Sequence, residues 1–207
     1  MLLGLDRIRY IRGGVTTIAE PELPATFTFA EAENRGLSRR RLQRLQSTGA
    51  VERIGRGLYR RTDEEPADHD LIEIAAKAHQ PTLCLLSALA RHELTDIIPP
   101  VHDIAIPRGM WQPVVSAPVH WHKFDPATFG VGRTEIQLDG TYAIGLYDAP
   151  RSIIDAFRLR RVMGPDIANE ALRRWLRYGG KPADLMRLTK IFPAARPSLL
   201  HTLQVLL

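Results

Sequence analysis

The sequence predicts an α+β protein of two domains, divided near residue 65. Between Ser38 and Arg61 the apolar period changes from helical to strand-like. From residue 68 to 146, helix-like runs give way to short alternating strands. Beyond residue 150, prolines at 150, 165 and 182 fall at first-turn positions of helical segments.

The first domain covers residues 1–65. Leu5, Ile8 and Ile11 share one face of a helix over Leu2–Ile11, which Gly13-Gly14 ends. Residues 15–26 are loop-like, with Pro21 and Pro24. Thr28 stands as N-cap to a short helix, Phe29–Arg35, closed by Gly36. Ser38 caps the next helix, and Gly49 ends it. Val51, Ile54, a Gly55-Arg56-Gly57 tip, Leu58 and Tyr59 then read as a hairpin running to Arg61. A capped basic helix followed by a basic hairpin is the order of a winged helix-turn-helix. Acidic Asp63-Glu64-Glu65-Pro66 reads as a linker.

The second domain, 66–207, is predicted as a mixed α/β unit with a sheet and a helical C-terminal half. Helices are expected at Asp68–His79 and Thr82–Glu93, the latter apolar on nearly every side and therefore buried. Strands follow at Val101–Ile106 and Val119–Phe124. Ile136–Leu138 and Tyr142–Leu146 flank Asp139-Gly140 as a hairpin. Helices near 150–162, 165–178, 182–191 and 196–206 close the chain, with Gly179-Gly180 as a stop.

Composition is that of a globular protein, 44% hydrophobic and 25% charged. Net charge is +5, a mild excess that is unevenly distributed. Residues 38–61 hold eight arginines against Glu52 alone, and residues 151–207 hold nine arginines and two lysines against four acids. The rest of the chain is acidic. Two basic faces on an acidic body point to an anionic partner. The single cysteine, Cys84, allows no intrachain disulfide and fits a reducing compartment. Met1–Leu5 is too short an apolar start for a signal peptide, and the longest apolar stretch, Leu83–Ala90, is too short to span a bilayer. A cytoplasmic location is expected.

With Leu42 and Leu45 inward on the 38–48 helix, Arg40, Gln43, Arg44 and Ser47 share the outer face, with Arg39 at its edge and Arg41 adding charge. Arginine pairs bidentately with guanine and glutamine with adenine, while serine and arginine bind phosphate. Ser38 leaves a helix N-terminus pointing toward phosphate. Arg56, between two glycines at the hairpin tip, suits the minor groove or the backbone, with Arg53, Arg60 and Arg61 as flanking phosphate contacts. A solvated arginine-rich helix beside an ordinary hairpin is the plainer alternative. The order of elements favours binding to double-stranded DNA.

These residues resemble the AbiEi family of antitoxins of type IV toxin–antitoxin systems. Gly36-Leu37-Ser38, Arg39-Arg40-Arg41-Leu42 and Gly55-Arg56-Gly57-Leu58-Tyr59 carry the N-terminal likeness. Leu83–Ala90 followed by His92-Glu93-Leu94-Thr95, Ile104–Gly109, and Tyr147–Phe157 carry the rest. The chain is most similar to mycobacterial members paired with nucleotidyltransferase-like toxins. The span from Gly13 to Thr26 is longer than the family's spacing between the first two helices, which leaves open the N-terminal boundary of the winged domain and any role for Arg7, Arg9 and Arg12. The resemblance implies a bacterial repressor bound to repeats upstream of its own operon, which also protects against a toxin. It leaves open whether protection acts through direct contact with, or modification of, the toxin by residues 66–207.

On the 165–178 helix, Ile167, Ala168, Ala171, Leu172 and Trp175 face inward and Arg173, Arg174 and Arg177 outward. Arg158, Arg160 and Arg161 end the preceding helix, where cations suit the dipole. They form either a second basic surface or a solvated face.

Enzyme signals are weak. His120-Trp121-His122 puts two imidazoles on one side of a strand, but no third ligand stands at a motif spacing. A nuclease requires clustered acids with a nearby lysine. Glu135 and Asp139 stand four apart, and the next lysine is Lys181. Ser87 lacks a nucleophile elbow, and Gly179-Gly180-Lys181-Pro182 lacks the Ser or Thr of a phosphate loop. Neither a metal nor a cofactor is expected, and the chain reads as a non-enzyme.

Overall fold

The computed structural model describes residues 22–65 and 67–206. The expected helix at Leu2–Ile11, the Gly13-Gly14 stop, and Arg7, Arg9 and Arg12 lie outside the described residues, as do Pro21 and Pro66.

Strand β1 (Thr26–Thr28) runs directly into α1 (Phe29–Asn34). The Thr28 hydroxyl accepts from the Glu31 N–H, and the Glu31 carboxylate accepts from the Thr28 N–H at 2.6 Å. This reciprocal cap satisfies two N–H groups that a helix start leaves open. Ser38 caps α2 (Arg39–Ser47) by accepting from the Arg41 N–H. β2 (Val51–Gly55) and β3 (Leu58–Arg61) form the expected hairpin, and β1 pairs with the other edge of β3. β1 was not anticipated, since three residues are too few to show a period. Leu23, Phe27, Ala32, Leu37, Leu42 and Val51 close a core of their own.

After α3 (His69–Lys77) comes a five-stranded sheet. Its strands are β4 (Thr82–Leu83), β5 (His102–Pro107), β6 (Val119–Phe124), β7 (Arg133–Gln137) and β8 (Ala143–Tyr147), in the order β6-β5-β4-β8-β7. The expected helix 82–93 is corrected here. Thr82 and Leu83 pair with both β5 and β8 at the sheet centre, and α4 spans only Leu85–Arg91. A run buried on every side has the same composition as strand or helix, so periodicity does not separate them. The hairpin at Asp139-Gly140 forms, with Gln137 opposite Ala143. β5 and β6 are parallel, joined by residues 108–118 without a helix. A short α5 (Pro126–Phe129), capped by Asp125, was not predicted.

The expected 150–162 helix breaks at Leu159 into α6 (Ala149–Arg158) and α7 (Arg160–Met163). α8 (Pro165–Arg177), α9 (Pro182–Leu188), a 3-10 turn at Pro193–Ala195 and α10 (Arg196–Leu206) follow. Leu89, Ile153, Phe157, Leu172, Trp175 and Leu199 join these helices in one core, while Leu71 and Ile74 of α3 pack on Leu83, Ile104 and Ile144 of the sheet. Gly180 lies against the Trp175 ring, where an added Cβ would stand 2.2 Å from it.

Arg151 is fully buried at the foot of this core. Its Nε donates to both Asp155 carboxylate oxygens at 3.1 Å, and its Nη1 donates to the carbonyls of Thr128 and Val131. The guanidinium lies over the Tyr147 and Phe192 rings, 4.4 and 4.1 Å from their centroids. Nη2 has no hydrogen-bond partner among the described residues, so the ion pair, the two carbonyls and the aromatic faces are what make the desolvated charge tolerable.

The N-terminal sheet docks on this body. Thr26 Oγ1 donates to Asp139 Oδ2, and the Thr26 N–H donates to Thr141 Oγ1. Gly55 abuts Glu73 on α3, where a Cβ would meet Oε1 at 3.0 Å. Glu73 is buried and accepts from Lys77 at 2.5 Å and from the N–H groups of Ser116 and Ala117. Burial opposes its ionisation, but Lys77 and the two N–H groups prevail, so its carboxyl titrates below the usual glutamate range.

Candidate nucleic-acid interface

The interface is built on α2 and the β2–β3 hairpin. Leu42 is 2% exposed and pins α2 to the small core; Leu45 is half-buried beside it. Anchoring this side turns Arg40, Gln43, Arg44 and Ser47 outward, and all four are exposed. Arg40, Gln43 and Arg44 make no side-chain hydrogen bond or ion pair with the described residues. Arg39 is exposed too, its guanidinium 5.3 Å from the Phe29 ring centroid. Arg41 is half-buried.

The two serines are partly committed. The Ser38 hydroxyl holds the helix cap rather than standing free for a phosphate, and the Ser47 hydroxyl donates to the Arg44 carbonyl at 2.9 Å.

On the hairpin, Gly57 has φ +74, a conformation that favours glycine, and it sets Arg56 at the tip, exposed. Arg53 is exposed and its Nε donates to the Gly55 carbonyl at 3.0 Å, bracing that turn. Arg60 and Arg61 depart from expectation. Arg60 is 3% exposed; it donates to the carbonyls of Arg61 and Glu65 and lies 3.7 Å from Glu52. Its position on β3 faces the body, so it is a structural residue rather than a backbone contact. Arg61 donates to both Asp63 oxygens, at 3.0 and 2.6 Å, lies 3.4 Å from Glu64, and donates to the Leu23 carbonyl. The hydrogen bond to Asp63 holds the Arg61 pKa above its ordinary value and the Asp63 pKa below its own. The acidic stretch expected to be a linker therefore neutralises the end of the basic hairpin.

The second basic block is likewise thinned. Arg158 is half-buried, paired to Asp155 at 2.6 Å and stacked 4.7 Å from the Phe124 centroid. Arg174 holds Asp96 through two hydrogen bonds and pairs with Glu170 at 2.6 Å. Arg160, Arg161, Arg173 and Arg177 stay exposed. The groove beside α8 is mixed, with Asp166 and Glu170 next to Arg173 and Arg177.

One feature is not legible along the chain. Asp103 stands beside His120 and His122 across the β5–β6 pairing, so a third donor exists where none was found along the chain. Its signal was a strand pairing rather than a spacing. Cys84 is fully buried, and burial raises its thiol pKa well above the ordinary value, which makes it an unreactive apolar filler.

Among the described residues, no helix is long and apolar enough to cross a membrane. No curated protein matches the chain. Residues 24–62, the segment from just before β1 to just after β3, match the family model described as a transcriptional regulator, AbiEi antitoxin.

Proposed function

We propose that this protein is an antitoxin and DNA-binding autorepressor of a type IV toxin–antitoxin operon. In this reading residues 1–65 form a winged helix-turn-helix, and residues 66–207 form the antitoxin domain. α2 enters the major groove of the operon's own promoter repeats, and the hairpin acts as the wing. Arg40, Gln43 and Arg44 read base edges, Ser47 and Arg39 lie at their margin, and Arg41, Arg53 and Arg56 hold phosphates. The partner toxin is nucleotidyltransferase-like, and the setting is the bacterial cytoplasm.

One observation carries this reading. Within the segment matched to an antitoxin regulator, a capped helix presents two arginines and a glutamine without partners among the described residues, beside an arginine-tipped hairpin. Unpaired cations and an unpaired amide on one rigid face suit a polyanion with a readable edge. Footprinting on the upstream region of the chain's own operon tests it. Protection of repeated sites, lost in the triple variant Arg40→Ala, Gln43→Ala, Arg44→Ala, is the expected result. Equal affinity for unrelated DNA refutes specific repression.

A second reading has residues 66–207 contacting the toxin directly, with DNA binding secondary. Ile98, Trp111 and Val114, which are 88, 72 and 83% exposed in the loops flanking β5, favour it. The same triple variant separates the two readings. Loss of repression with retained protection of cells from the toxin assigns protection to the body of the protein.

A further inference from the structure

β6 is an edge strand, and its pairing with β5 brings together side chains from distant parts of the chain. In the parallel register Asp103 stands opposite His120, and Ala105 opposite His122. Alternation along each strand therefore puts Asp103, His120 and His122 on one face. His122 Nε2 lies 2.8 Å from Asp103 Oδ1, and His120 Nδ1 lies 3.6 Å from the same oxygen. The two imidazole centroids are 4.5 Å apart, and donor atoms of the three residues all lie within 4.8 Å of one another. Around a tetrahedral ion with ligand bonds of about 2.0–2.1 Å, donors stand about 3.3 Å apart. The trio is thus near ligand spacing.

The surroundings suit a bound ion. The Asp103 N–H donates to Ser87 Oγ at 2.8 Å, which ties the strand to α4. Asp103 and His122 side chains are each 14% exposed, while His120 is 63% exposed. Two ligands are therefore sheltered, and the third borders an open approach from solvent. An ordinary His122–Asp103 hydrogen bond accounts for two of these residues. It leaves unexplained an exposed His120 turned toward the same carboxylate oxygen.

We propose that Asp103, His120 and His122 bind one divalent transition ion of the zinc type, with a coordination position left to solvent. Two imidazoles and one carboxylate suit borderline ions such as Zn²⁺ or Ni²⁺, whereas Ca²⁺ and Mg²⁺ prefer all-oxygen sets. The ion cross-links the edge strand β6 to β5.

The full chain, stripped with a chelator, is titrated with Zn²⁺ against a chromophoric competitor. One equivalent binds per chain. His120→Ala and His122→Ala weaken binding by more than the roughly 10–100-fold that loss of an outer-shell partner costs. Because His120 is largely exposed, its replacement keeps the ion-free Tm of the parent chain, while Zn²⁺ raises Tm in the parent only. His102→Ala, which removes the separate Asp68, Asp70 and His102 group, keeps full affinity. The proposal fails if the parent binds no stoichiometric ion, if His120→Ala binds as the parent does, or if His102→Ala alone abolishes binding.

Discussion

At the scale of single residues, arginines that are alike in sequence divide into two kinds. Arg40, Arg44 and Arg56 project without partners among the described residues, whereas Arg60, Arg61, Arg158 and Arg174 are held by acids or carbonyls. The distinction gives opposite predictions for the same substitution. Gln43→Ala or Arg44→Ala relaxes base preference and costs about 1–3 kcal/mol at one base pair, with the fold intact. Competition binding across single-base operator variants measures this; unchanged discrimination removes these residues from base reading. Arg60→Ala instead lowers thermal stability, because Glu52 and the Arg61 and Glu65 carbonyls lose a buried donor. If Arg60→Ala leaves Tm unchanged and weakens DNA binding, its assignment as a structural residue is wrong.

At the scale of elements, α2 and the hairpin form one electrostatic unit whose free charge is smaller than its arginine count. With Arg60 and Arg61 engaged, about six arginines remain to neutralise phosphates, and log affinity should fall with log salt at a slope of about −5.4. Binding isotherms at several salt concentrations give the slope directly. A value of about −7 or steeper brings the paired arginines back into contact, and a flat response ends the electrostatic account. The small sheet also explains why α2 is rigid. β1 adds a third strand to a hairpin that would be marginal alone, and Leu42 is fixed against the resulting core.

At the scale of the whole molecule, the N-terminal unit is bound to the body through Glu73, Asp139 and Thr141. Glu73→Ala strips acceptors from two backbone N–H groups and from Lys77, at a cost of about 1–3 kcal/mol per unsatisfied buried group. Because its folded pKa lies below the ordinary value of 4.5, Glu73 stabilises the fold above that pH, and this is lost as pH falls through the folded value. Urea midpoints between neutral pH and pH 3 should fall more steeply for the parent than for Glu73→Gln; parallel curves disprove the linkage. In the core, Arg151→Ala leaves Asp155 buried with only Arg158 as partner, and should cost about 3–5 kcal/mol. Chemical denaturation reads that loss, and a cost under about 1 kcal/mol would mean the site rehydrates.

Caps, turns and helix faces were legible in the sequence. Thr28 and Ser38 cap the helices they precede, Gly57 turns the hairpin, Asp139-Gly140 turns another, and Leu42 with Trp175 faces inward as the periods require. These outcomes depend on a few neighbouring residues, so a one-dimensional reading contains them. Tertiary structure alone decided whether Thr82 and Leu83 are strand or helix, because a fully buried run carries no polar face to mark its period. It also decided that Arg60 and Arg174 lose their free charge, since Glu52 and Asp96 reach them across the fold, whereas Asp63, Glu64 and Asp155 engage arginines only two or three positions away. Parallel pairing of β5 with β6 brought Asp103 to His120 and His122, a convergence set by sheet register rather than sequence spacing.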